Sequence, residues 1–292
     1  MPDPFPTFIL PLLMSVGACA AFLLITGHPW ARWRSKTPWA RPIALSVGML
    51  APFERITGAF PPLLPNGATG WMFHLAIGAA IIGAMVTLIQ WPRIVRLFVL
   101  TVVFAVCFSL ILFNRLRDPE LIQATVASIA AATIAALSWW WSLDLTGRNQ
   151  SPLLAQCAML LLALFTSAIL MMSGTLTYGR LALALAGGLM GLIIFSVRSR
   201  RDIAGVAVVP ALMLTVLLLA GFFFAELTWL NLVLIAIAPT CMAGAVIRGK
   251  SARNFKTTVL VLMALCIPMF IALGSALPHF IKMIQEQTEA GY

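Results

Sequence analysis

Residues 42–62 read PIALSVGMLAPFERITGAFPP, an apolar run that holds Glu54 and Arg55 side by side two residues after Pro52. Whether this run crosses a membrane decides how the rest of the chain is threaded. The basic loops at 32–41 and 93–96 share one side of a bilayer only if an even number of crossings separates them. The apolar run at 72–91 supplies one crossing, so 42–62 supplies the other. Pro61, Pro62 and Pro65 stop a helix near Phe60. From Ile43 that leaves about 18 residues, or about 27 Å at the α-helical rise. Glu54 then lies about 9 Å below the outer end, in the outer third of the hydrocarbon.

The composition makes the membrane setting explicit. Of 292 residues, 61% are hydrophobic and 10% charged, with a mean hydropathy of +1.00, far from the range of soluble domains. The apolar runs have helical length and lack the two-residue alternation of a barrel strand. The expected fold is all-α, a polytopic transmembrane bundle within one integral membrane domain covering 1–292. The net charge of +10 does not imply nucleic acid, because the basic residues fall in short loops between apolar runs. The lipid bilayer is the expected partner.

Spans are expected near 5–27, 42–62, 72–91, 97–114, 121–143, 152–173, 180–197, 203–225, 228–247 and 257–280, which makes about ten. Linkers carry turn punctuation, as in Pro65-Asn66-Gly67 and Thr146-Gly147-Arg148-Asn149. Alternate loops divide the basic residues unevenly. Arg32, Arg34, Lys36, Arg41, Arg93, Arg96, Arg148, Arg198, Arg200, Arg201, Arg248, Lys250, Arg253 and Lys256 fall on one side, and Arg115, Arg117, Arg180 and Lys282 on the other. The first side is therefore expected to be cytoplasmic and both termini outside, in a cytoplasmic (inner) membrane of prokaryotic type. Trp30, Trp33, Trp39, Trp91 and Trp139-Trp140-Trp141 read as markers of the inner interface, and Trp71 and Trp229 of the outer one. Val16-Gly17-Ala18-Cys19 loosely resembles a lipidation signal, but only Asp3 precedes the apolar run, and an ordinary first span is expected.

Charged residues inside a span are costly. Neighbours on a helix point about 100° apart, so Glu54 and Arg55 do not pair across an intact helix. Pro52 removes one backbone hydrogen bond and Gly58 weakens the following turn. A broken helix lining an outward vestibule follows, with Glu54 suited to a cation or proton and Arg55 to an anionic group. The same charges also fit a short, tilted span whose Arg55 snorkels outward with Glu54 following. His28, His74 and His279 read as interfacial residues. The cysteines, Cys19, Cys107, Cys157, Cys241 and Cys266, stand singly, so no metal site or cofactor is expected.

Small residues mark close helix approach: Gly187 and Gly191 form a GxxxG, and Ala79 and Gly83 a small-xxx-small pair. Five spans in 1–148 and five in 149–292 match the count of an inverted repeat, without visible self-similarity. The remaining acidic residues suggest no catalytic set: Asp118 and Glu120 sit in an outer turn, Asp144 stands alone, and Asp202 is bracketed by arginines. Two classes remain. One is a small-solute transporter or permease using the vestibule at Glu54 and Arg55; the other is a non-transporting scaffold or assembly subunit bound to other membrane subunits.

Overall fold

The computed structural model describes residues 5–26, 39–63, 65, 67–89, 91–196, 203–248 and 255–289. Among these residues there is no strand. A π-helical turn, Phe5–Ile9, leads into α1 (Leu10–Thr26). It is followed by α2 (Ala40–Leu50), α3 (Phe53–Thr57), α4 (Ala68–Leu88), α5 (Arg93–Ile111), α6 (Phe113–Leu116) and α7 (Ile122–Asn149). The remaining helices are α8 (Pro152–Met172), α9 (Leu176–Ser196), α10 (Ile203–Phe224), α11 (Trp229–Arg248) and α12 (Phe255–Glu289). Among the described residues nine helices are long and apolar enough to cross a membrane. The fold is that of a multi-pass integral membrane protein.

The run expected as the second span is two helices instead of one. It lies antiparallel along α4: Pro42 approaches Gly83 near the end of α4, and Phe53 stacks edge-on against Phe73 near its start, 5.2 Å between ring centroids. The α2–α3 pair thus follows its neighbour over most of that helix's length while being broken at Pro52.

At the centre stands α10. Its sequence is apolar on every side, with no polar face to turn toward water, and every residue from Gly205 to Gly221 is buried. Around it, close backbone approach replaces side-chain interdigitation. A methyl group on Gly83 would meet the Gly205 carbonyl oxygen at 2.6 Å and Pro42 Cβ at 2.7 Å, so α4 and α10 cross at that point nearly backbone to backbone. Ala79, one turn earlier on α4, is fully buried. On α9, Gly187 faces Leu12 and Ser15 of α1, while Gly191 faces Val16 and Cys19 of the same helix. Gly188 and Gly48 bring α2 into that contact. The packing therefore crosses between residues 1–148 and 149–292 at several places.

One local expectation is corrected, and the tryptophan run gains partners inside the bundle. Thr146-Gly147-Arg148-Asn149 is not a linker but the last turn of α7. Gly147 packs against Ile203, Thr146 Oγ1 donates to the Ser142 carbonyl at 2.8 Å, and the Arg148 side chain bonds back to Asp144. Trp139 and Trp140 are buried, at 1% and 4% exposure, whereas Trp141 is 45% exposed. Trp139 Nε1 donates to the Ala236 carbonyl of α11 at 2.8 Å. Trp140 Nε1 donates to the Ala204 carbonyl of α10, also at 2.8 Å. An indole N–H needs an acceptor when buried, and these two found theirs on neighbouring helices rather than at a lipid headgroup.

Arginines at the opposite end of the bundle are tied to aromatic rings. Arg115 lies 4.7 Å from the Phe223 ring centroid and donates to the Phe223 carbonyl at 3.2 Å, capping the end of α10. Arg117 covers Phe113 and Arg180 covers Phe8, at 4.4 and 5.7 Å. Of the basic loops behind the charge bias, Arg32, Arg34, Lys36, Arg198, Arg200, Arg201, Lys250 and Arg253 lie outside the described residues, as do His28, Trp30, Trp33 and Asp202.

Candidate functional site

Local chain chemistry explains the break that holds Glu54 and Arg55. α2 closes at Leu50, with the Ala51 N–H bonded to the Val47 carbonyl at 2.9 Å. Pro52 has no N–H to continue the ladder and stands at φ −88°, ψ 4°, as the cap of α3. Its carbonyl then accepts from Ile56 at 3.0 Å. Gly58 ends the turn at φ 83°, a conformation that glycine adopts without a Cβ clash, and its N–H bonds to the Glu54 carbonyl at 2.7 Å. This single turn is two-faced. Phe53 and Ile56 are buried, and Glu54 and Arg55 are exposed. Among the described residues, neither charged side chain forms an ion pair with another.

Two cavities occupy opposite ends of the bundle, and neither is lined by Glu54 or Arg55. The larger, of about 700 Å³, lies where α4, α7 and the starts of α5, α8, α10 and α12 meet; its polar lining includes Thr87, Arg96, Asp144, Arg148, Gln150 and Ser151. The other, of about 550 Å³, lies at the α8–α9 and α10–α11 turns, with Ser173, Thr175, Glu226, Lys282 and Glu286. Three helices, α8, α10 and α12, thus have one end in each cavity.

The larger cavity is electrostatically unbalanced. Arg148 Nε donates to Asp144 Oδ1 at 2.9 Å; the Asp144 side chain is 12% exposed and that of Arg148 47%. Arg96 has no carboxylate partner among the described residues. Its Nη2 reaches the Trp91 carbonyl at 3.4 Å, and its Nε is buried without a hydrogen bond. Among the described lining residues two guanidiniums therefore face one carboxylate. α8 also begins here, with Ser151 as cap, its Oγ accepting from the Leu153 N–H at 3.2 Å, and Pro152 in the first turn. The start of a helix adds partial positive charge.

Between the cavities the bundle is not uniformly apolar. Gln156 and Thr166 on α8 are buried, at 2% and 0% exposure. They lie about 6 and about 21 Å along the helix from Pro152. The Thr166 hydroxyl and that of fully buried Ser142 on α7 have no hydrogen-bond partner among the described residues, although such a group usually finds one. Thr215 on α10 donates to the Ala211 carbonyl at 2.7 Å. Across the bundle, Ser275 of α12 donates to Asn231 of α11. Among the described residues no His, Cys, Asp or Glu cluster has a metal-ligand arrangement.

From the sequence alone Arg96, Asp144 and Arg148 read as loop charges. A signal was present: Asp144 and Arg148 stand four apart, one helical turn. It loses its meaning once the segment is read as a linker.

The fold defines the class, a multi-pass integral membrane protein. No protein-family model, curated protein or solved structure matches the chain, so a finer assignment rests on the geometry.

Proposed function

We propose that the chain is a small-solute transporter of a cytoplasmic membrane, with the basic loops and the larger cavity on the cytoplasmic side and both termini outside. The observation that carries the reading is the pair of polar cavities at opposite ends of α8, α10 and α12, with buried hydroxyl and amide groups between them. Membrane interiors retain polar groups where a solute or ion must pass. In this reading the larger cavity is the inward site and the smaller one the outward mouth, while Glu54 and Arg55, exposed beyond the Pro52 break, form a separate outward vestibule.

A second reading, a non-transporting scaffold that assembles with other membrane subunits, is favoured by the backbone-close crossings at Gly83, Gly187 and Gly191, which suit a static bundle. Cysteine accessibility separates the two. With the five native cysteines replaced, Thr166→Cys in a transport path reacts with a small, charged thiol reagent from one side of the membrane or the other. Complete protection of Thr166→Cys, alongside ready modification of Ser151→Cys, would favour the scaffold and count against transport.

A further inference from the structure

We infer that the larger cavity is a binding site for a phosphate-bearing anion, held between Arg96 and Arg148. The two guanidiniums come from different helices, α5 and α7, and both line the same space of about 700 Å³. That volume falls within the range of small-molecule sites, roughly 300–1,000 Å³. Asp144 engages Arg148 through Nε alone, so the two terminal amino groups of Arg148 keep their donors. On Arg96 it is Nε that is buried and unpartnered. That atom is covered by protein, so Arg96 meets a ligand in the cavity through its terminal amino groups.

Charge gives the sign of that ligand. Asp144 neutralises one of the two arginines, and the start of α8 adds to the surplus. Oxygen count favours phosphate within the anions. A carboxylate offers two oxygens, whereas a phosphate group offers a third, so that it can meet two guanidinium forks from different helices at once. Guanidinium matches this geometry through paired, planar donors, which lysine lacks. A soluble phosphate ester and the headgroup of an anionic phospholipid share this chemistry, since the cavity lies at the end of a membrane bundle.

The inference does not require flux, so it stands or falls separately from the transport reading. The test is binding of radiolabelled orthophosphate to the purified full chain, with competition by glycerol phosphate. In parallel, melting is followed in nanodiscs of phosphatidylcholine alone and of phosphatidylcholine with phosphatidylglycerol. Arg96→Gln and Arg148→Gln each weaken orthophosphate binding at least about tenfold, the loss of one charge-assisted contact. Asp144→Asn tightens binding, because it removes the one negative charge among the described lining residues, and Arg93→Gln, outside the cavity, leaves it unchanged. Orthophosphate binding with this variant pattern identifies a soluble phosphate. Stabilisation by phosphatidylglycerol alone, abolished in Arg96→Gln, identifies a lipid headgroup. Absence of both effects overturns the site, as does equal weakening by Arg93→Gln and Arg96→Gln, which marks diffuse surface charge. The Asp144→Asn gain keeps the test decisive if an arginine variant fails to fold.

Discussion

Arg148 and Asp144 meet at 2.9 Å across the last full turn of α7, with the carboxylate almost covered and the guanidinium half open to the larger cavity. The pair both closes the helix end and orients one wall of the cavity. As an i, i+4 pair at a partly exposed site it contributes only about 0.5 kcal/mol to stability. Asp144→Asn is therefore expected to lower the melting temperature in detergent little. A large loss of stability would show that Asp144 holds more of the fold than its contact with Arg148 indicates.

The α4–α10 crossing has no room for a side chain at Gly83. Gly83→Ala pushes a methyl against the Gly205 carbonyl and Pro42, and overpacking of this kind costs about 1–3 kcal/mol. Gly78→Ala, five residues earlier on α4 where a methyl meets nothing within 4 Å, is expected to be neutral or to stabilise by up to about 1 kcal/mol through helix propensity. Thermal melting of the two variants in one detergent checks the contrast.

Trp139 links α7 to α11 through a buried hydrogen bond to Ala236. Trp139→Phe keeps most of the packing and removes the donor, with an expected loss of about 0.5–2 kcal/mol. Trp141→Phe, on the exposed side of α7, is expected to leave stability within error. Equal effects of the two would return this tryptophan run to an interfacial role.

Glu54 and Arg55 project from a helical turn whose other face is buried by Phe53 and Ile56. In a background without native cysteines, Glu54→Cys is expected to react with a membrane-impermeant maleimide added outside intact cells, while Phe53→Cys and Ile56→Cys stay protected. Labelling at all three positions contradicts a vestibule, since the turn is then simply exposed; protection at all three puts Glu54 in lipid or a dry interior.

What the sequence discloses about this fold follows from periodicity and punctuation. Apolar length locates the nine long helices found among the described residues because a bilayer demands length before anything else, and Pro52 and Gly58 mark the two ends of α3 because each acts on its own backbone. The cavity was not legible in the same way. Its walls come from Thr87, Arg96, Arg148, Ser151 and Thr258, which belong to separate segments, and contacts between helices, such as those of Gly83 and Gly147 with the start of α10, are not written in any one of them. The packing of Trp139 and Trp140 was hidden for a related reason. A tryptophan near a helix end looks interfacial until a neighbouring carbonyl, here Ala236 or Ala204, is known to be within reach.

The central claim is transport, and uptake into proteoliposomes tests it most directly. The purified chain is reconstituted into phosphatidylcholine vesicles, and entry of a panel of radiolabelled small phosphate and carboxylate anions is followed against protein-free vesicles. The account predicts saturable uptake of at least one member, reduced about tenfold or more by Arg96→Gln, as expected for loss of a charge-assisted contact. Uptake no faster than in empty vesicles for every member, from protein that still melts cooperatively, would contradict it and leave the scaffold reading in its place.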